Sequence, residues 1–199
     1  MESRKDNYGR IERLLLAGFG GQGVLSLGQV VCYAGMKENR EVAWVPSYGP
    51  EMRGGTANCL VTISEEVIDS PVFDAGDAAI IMNRPSLDRF ERSVRPGGIL
   101  LYNSSLIDRI PVRSDVHPFG IPANELAEEA GSARAANMVM LGALLELTSL
   151  LKGESVLEGL GRVLSSSKYD LLVLNRKALE AGRRYVRLLQ EKEDRRLAG

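Results

Sequence analysis

Histidine and cysteine are scarce: one His and two Cys in 199 residues. Two thiolates are too few to hold an iron–sulfur cluster within one chain. They cannot build a disulfide framework either, and spacing alone leaves open whether Cys32 pairs with Cys59. No metal-ligand spacing occurs anywhere. Charge of one sign is also missing, since 25 Lys plus Arg stand against 26 Asp plus Glu, for a formal net charge of −1. With a pI near 6.0, that balance excludes a protein built mainly to bind nucleic acid. The N-terminal segment MESRKDNYGRIER has no apolar core, so no secretory leader is expected. The uncharged apolar segment between Arg134 and Glu146 has 11 residues, far short of the roughly 20 needed to cross a bilayer. What remains is a composition of 44% apolar and 26% charged residues, typical of a globular protein. The expectation is one cytoplasmic domain over residues 1–199, long enough to bury a full core.

The chain then alternates strand and helix signals. Leu14 to Ala17 is a continuous apolar run closed by glycines, as in a buried strand of a parallel sheet. From Val24 the period becomes helical, with Val24, Gly28, Val31 and Gly35 on one stripe whose small residues would let the helix lie close to a sheet. Glu41 to Val45 reads as a strand ending at Pro46. In TANCLVTIS, from Thr56, Ala57, Cys59, Val61 and Ile63 alternate with their neighbours at a strand's two-residue period. Further strands are expected at Ala78–Met82, Ile99–Tyr102 and Asp115–Phe119, with a helix over Ser86–Val94 and a turn at Pro96-Gly97-Gly98. The last third reads as three helices, Ala123–Ala130, Ala135–Leu151 and Asp170–Leu189. The middle one is apolar nearly all round and must be covered by this domain or by another subunit. The pattern predicts an α/β fold: a three-layer Rossmann-like domain with a mostly parallel sheet and a helical C-terminal third.

Two loops carry chemistry. Gly18, Gly20 and Gly23 form a GxGxxG pattern between a strand and a helix, where backbone amides at a helix N-terminus can face an anion. Gly21 adds a further open amide. Gln22 places a side-chain amide within reach of a ligand or of a neighbouring loop. A dinucleotide site also needs an acid at the end of the second strand. That strand ends Val45-Pro46-Ser47-Tyr48, while Glu38 and Glu41 lie at its wrong end. No Lys-Ser or Lys-Thr pair follows the glycines, which sets aside a nucleoside-triphosphate loop. The second loop, SYGPEMRGG, contributes the amphipathic ring of Tyr48, the bidentate cation of Arg53 and the open amides of Gly54 and Gly55. Loops at the carboxyl ends of parallel strands line the crevice where ligands bind, so both are expected on one edge. His117, alone and before Pro118, has no nucleophile to serve. Asn137, heading the apolar helix, either ties down a loop or meets a ligand.

At these residues the chain resembles the gamma subunit of the 2-oxoacid:ferredoxin oxidoreductases. The resemblance rests on GFGGQGV from Gly18 and on SYGPEMRGGTANC from Ser47 to Cys59. It continues through AAIIMNRPSLDRF, PGGILLYNSS, the Ala136-Asn137 to Gly142-Ala143 helix, and Asn175 with Ala178 and Gly182. Within the family the chain is most similar to subunits assigned to 2-oxoglutarate. The resemblance implies a multi-subunit enzyme that decarboxylates a 2-oxoacid, transfers the acyl group to coenzyme A and reduces ferredoxin. It places thiamine diphosphate, its magnesium ion and the iron–sulfur clusters in alpha, beta and delta partner subunits. This chain then holds no cofactor of its own and no catalytic residue. Its expected role is to support those subunits and to shape a coenzyme A channel with Gly18, Gly20, Gly21, Gln22, Gly23, Tyr48, Arg53, Gly54 and Gly55. The residues alone leave two other readings open: a free-standing Rossmann-type oxidoreductase binding NAD or FAD, and a non-catalytic nucleotide-sensing module. In isolation the chain is expected to dimerise through the apolar helix, with no membrane or nucleic-acid partner.

Overall fold

The computed structural model describes residues 12–47, 56–148, 150–164 and 169–197. In chain order the elements are β1 (Arg13–Phe19), α1 (Val24–Lys37), β2 (Glu41–Ser47), β3 (Thr56–Ser64), β4 (Gly76–Ile81), α2 (Arg84–Phe90) and β5 (Val94–Asn103). Then come β6 (His117–Ile121), α3 (Ala123–Ala130), α4 (Ala136–Leu147), α5 (Gly153–Val163) and α6 (Tyr169–Leu197). The strands form one six-stranded sheet in the order β2-β3-β1-β4-β5-β6. β3 runs antiparallel to both of its neighbours, and the β1–β4, β4–β5 and β5–β6 pairs are parallel. The sheet is therefore mostly parallel, as the strand–helix alternation predicts.

Burial explains the strand patterns. Leu14 to Ala17 lie in the centre of the sheet and are buried on both faces, which is why β1 reads as continuous rather than alternating. β3 alternates because its faces differ: Ala57, Cys59, Val61 and Ile63 pack into the larger core beneath α1, while Leu60 borders the smaller core opposite. The small residues of α1 bring it onto the sheet. A Cβ on Gly28 would lie 2.7 Å from both Cys59 Sγ and Trp44 Nε1, and one on Gly35 would lie 2.7 Å from Val42 Cγ1.

The two faces are covered unequally. α1, α3, α4, α5 and α6 all contribute to the larger core. The other face carries α2 and the β5–β6 crossover, through Leu87, Ile107 and Val116. Glu91 pins that crossover: its buried carboxylate accepts from Arg109 Nη2 at 2.8 Å and from the Val112 amide at 2.5 Å.

Three expectations are corrected. α4 is not left for another subunit to cover: from Met138 to Leu145 every residue is buried by this chain's own elements. The apolar patch expected to drive a homodimer is thus absent from α4. The Pro96-Gly97-Gly98 group lies inside β5 as an irregularity, with Gly97 at φ 75° and a register shift between Gly76 and Ala78. The segment after α4 holds an unexpected helix, α5, which lies against α1. There a Cβ on Gly159 would lie 2.7 Å from Val30 O.

Candidate functional site

The strand register brings the ends of three strands together. Ala17 of β1 and Ser47 of β2 both pair with Asn58 of β3. The glycine loop after β1 and the two ends of the second loop, Ser47 and Thr56, therefore share the carboxyl edge of the parallel strands. Tyr48, Arg53, Gly54 and Gly55 lie outside the described residues.

The glycine loop divides into a packed half and an open half. Gly18 is packed: a Cβ there would meet Gln22 Oε1 at 2.7 Å and Met82 Cβ at 2.9 Å. Gly20 and Gly21 are exposed, and Gly21, at φ +92°, has nothing within 4 Å of an added Cβ. Gly23 is the N-cap of α1 at φ 73°, with no side-chain cap and no acidic residue in the first turn. The first amides of α1 thus have no intrahelical acceptor, and the helix dipole leaves that end positive. They border a cavity of about 340 Å³ lined by Phe19, Gly20, Gly21, Leu25, Ser26 and Ala57. A second cavity of about 430 Å³, between α1, α4, α5 and α6, shares Gly23 and Ser26 in its lining.

Side-chain amides hold this loop from behind. Gln22 turns inward: its Oε1 accepts from the Phe19 amide at 2.7 Å and from Asn83 Nδ2 at 2.9 Å, and its Nε2 donates to Met82 O at 3.4 Å. Of its two predicted uses, Gln22 takes the neighbouring loop. Asn137 does likewise, donating from Nδ2 to Gly23 O at 3.2 Å. Asn103 is fully buried. It donates to Asn124 Oδ1 at 2.9 Å and accepts from the Ser105 and Ala123 amides, each at 3.2 Å. Beside it the Ser105 hydroxyl donates to Glu125 and holds that carboxyl below the usual range. His117 is exposed at the start of β6, away from this edge.

This geometry bears directly on dinucleotide binding. The winding of the sheet reverses between the parallel strands β1 and β4, because α1 follows β1 on one face and α2 follows β4 on the other. The crevice at such a switch point is where doubly wound sheets take ligands. Here Gln22 and Asn83 bond across it. β3 also stands between β1 and β2, so the end of β2 is two strand spacings, about 10 Å, from β1. That strand ends at Ser47 with no acid. A ribose-binding carboxylate next to the glycine loop is missing from the described residues. Also among them, no three His, Cys, Asp or Glu stand close enough to hold a metal ion.

Residues 13–185 match the family model described as pyruvate ferredoxin/flavodoxin oxidoreductase. The chain belongs to this family. Among curated members, the ketoisovalerate oxidoreductase subunit VorA of Methanothermobacter marburgensis is 42% identical over 175 residues, 88% of this chain. The chain spans only 36% of that relative's length. The 2-oxoglutarate synthase subunit KorC of Methanocaldococcus jannaschii is 36% identical over 149 residues, 73% of this chain and 79% of its own. Among solved structures, the gamma subunit of a keto/oxoacid ferredoxin oxidoreductase from Geobacter sulfurreducens aligns with a TM-score of 0.75 at 25% identity, over 88% of this chain and 98% of that one. The 2-oxoglutarate:ferredoxin oxidoreductase from Magnetococcus marinus, solved with 2-oxoglutarate, coenzyme A and succinyl-CoA bound, aligns with a TM-score of 0.80 at 26% identity, over 90% of this chain and 32% of that one.

Sequence reading of this family member missed Asn83, Asn103 and Asn124. Asn83 carries a readable signal, an N-cap residue with a proline in the first turn of the following helix. Its Oδ1 indeed accepts from the Ser86 amide at 2.9 Å. Its second bond, to Gln22, has no local signal, because 61 residues separate the partners.

Proposed function

We propose that the chain is the gamma-type subunit of a 2-oxoacid:ferredoxin oxidoreductase. The enzyme would release the carboxyl group of a 2-oxoacid as carbon dioxide and join the acyl group to the sulfur of coenzyme A. The electron pair released would pass to ferredoxin. The match over residues 13–185 carries this reading. Thiamine diphosphate with its magnesium, and the iron–sulfur clusters, would belong to the alpha, beta and delta partners. The residues described here do not fit those groups: they offer no metal-ligand cluster, and both thiols are buried in the core. No chemical step is assigned to them.

The contribution of this chain would be a rim for the phosphorylated end of coenzyme A. The exposed Gly20–Gly21 backbone and the uncapped start of α1 offer amide donors, and Arg53 would add a fixed positive charge to phosphate. The shared edge of β1 and β2 supports this, since the ends of the Arg53 loop emerge beside the glycine loop. Two oxoacids merit the first assays. 2-Oxoglutarate is named for relatives of which the chain covers most of the length, 79% in KorC of Methanocaldococcus jannaschii, and ketoisovalerate for those of higher identity.

In the assembled enzyme, Arg53→Ala should raise the KM for coenzyme A by roughly one to two powers of ten. The KM for the 2-oxoacid should barely move. An equal loss for both, or failure to assemble, would mean that Arg53 holds a partner chain instead.

A further inference from the structure

We infer that Asn83, remote in sequence from the glycine loop, is a positioning residue that sets the loop for coenzyme A by holding Gln22. The inference rests on the coenzyme A reading above. Asn83 performs two separable tasks with the two ends of its amide. Oδ1 caps α2 by accepting from the Ser86 amide at 2.9 Å, and Nδ2 donates to Gln22 Oε1 at 2.9 Å. The same Gln22 oxygen accepts from the Phe19 amide at 2.7 Å. One oxygen therefore ties Phe19, the last residue of β1, to the start of α2, and Asn83 fixes which way the Gln22 side-chain amide is turned. Were that amide reversed, Oε1 would face Met82 O, acceptor against acceptor, and Phe19 would lose its bond.

The consequence is felt at the exposed residues next to Phe19. The backbone amide of Phe19 is bound inward and the backbone N–H of Gln22 donates back to Phe19 O at 3.2 Å, so the chain between them bulges outward as Gly20–Gly21. The other end of the loop is held by Asn137 on Gly23 O. The anchoring is on firm ground: Asn83 is 2% exposed, and Met82, just before it, bonds its amide to Ala17 O at 2.8 Å. A loop fixed at both ends presents its free amides without having to order them on binding.

The tasks can be separated by substitution. Asn83→Asp and Asn83→Ser both keep a good N-cap acceptor for α2, and both remove the donor to Gln22. Ser does so without adding charge. Hydrogen exchange is followed on the full chain, and steady-state kinetics on the assembled enzyme with a 2-oxoacid, coenzyme A and ferredoxin. In both variants the Phe19 amide should exchange about three- to tenfold faster, the effect of losing one hydrogen bond, while the Ser86 amide keeps its protection. The KM for coenzyme A should rise by a similar factor, about three- to tenfold, with the KM for the 2-oxoacid unchanged. Unaltered exchange at Phe19 would overturn the brace. Faster exchange with an unaltered KM for coenzyme A would overturn the positioning role. A joint rise of both KM values with a lowered Tm would make Asn83 a fold residue and nothing more. An effect in Asp but not in Ser would assign it to charge, and likewise overturn the proposal. If wild-type turnover proves independent of coenzyme A, the underlying reading fails, and the exchange experiment still decides whether Asn83 braces the loop.

Discussion

Gly142 on α4 and Gly182 on α6 interlock: a Cβ on Gly142 would sit 1.9 Å from Leu179 O, and one on Gly182 would sit 1.9 Å from Val139 O. Each glycine lies against a backbone carbonyl three residues before the other. The helices cross in near backbone contact, and this crossing roofs the larger core that carries α1 and its open N-terminus.

Gly142→Ala or Gly182→Ala must therefore push two backbones apart, since no flexible side chain can yield. Each should cost about 3 kcal/mol or more in urea denaturation, at the upper end for overpacking. Gly21→Ala is the contrast. There the space is open and only the positive φ resists, at about 1–2 kcal/mol. Equal losses at all three sites would contradict the close crossing.

Burial, aided in Cys59 by the neighbouring Cys32, pushes the thiols of Cys32 and Cys59 up to about 12. Neither should react with a thiol reagent in the native protein, and two should react after unfolding. The unfolded chain releases these protons above about pH 8.5 and the folded chain retains them. Their contribution to stability is thus full below pH ~8.5 and is lost as the pH rises towards 12, by up to ~1.4 kcal/mol per pH unit for each thiol. Urea midpoints at pH 8 and pH 10 should show the decline, and the Cys32→Ala, Cys59→Ala double variant should flatten it.

Glu91 is 5% exposed and accepts from Arg109 Nη2, the Val112 amide and, at 3.3 Å, the Arg113 amide. Glu91→Ala leaves these donors short of an acceptor and should cost about 2–3 kcal/mol. Glu91→Gln keeps an acceptor oxygen and should cost about half as much. Amide exchange at Val112 and Arg113 should accelerate in the Ala variant. Unchanged exchange there would mean that the crossover is held by Arg113, which reaches Val94 O at 2.9 Å.

Strict periodicity was the most legible feature of the fold. β3 and α3 have the bounds that their patterns predict, Thr56–Ser64 and Ala123–Ala130. Strand direction was not legible, because β3 alternates identically whether it runs with β1 or against it. α5 escaped because Gly153, Gly159 and Gly161 depress helix propensity. Gly159 is there for tertiary reasons, its contact with Val30. The same holds for α4, whose apolar girth calls for cover without saying that α6 of the same chain supplies it. At the candidate site the glycine pattern and its strand–helix setting were readable, as was the lack of an acid at the end of β2. That Asn137 would tie down a loop or meet a ligand was readable too, but its acceptor, Gly23 O, and the hydrogen bond from Asn83 to Gln22 were not, because the partners lie far apart in sequence.

The most direct test of the account is turnover of the reconstituted complex with and without this chain, read as ferredoxin reduction dependent on a 2-oxoacid and coenzyme A. Expected are no turnover by the chain alone, full turnover with its alpha and beta partners, and a loss of coenzyme A-dependent turnover when the chain is left out. Turnover by this chain alone, or undiminished turnover by the partners without it, would contradict it.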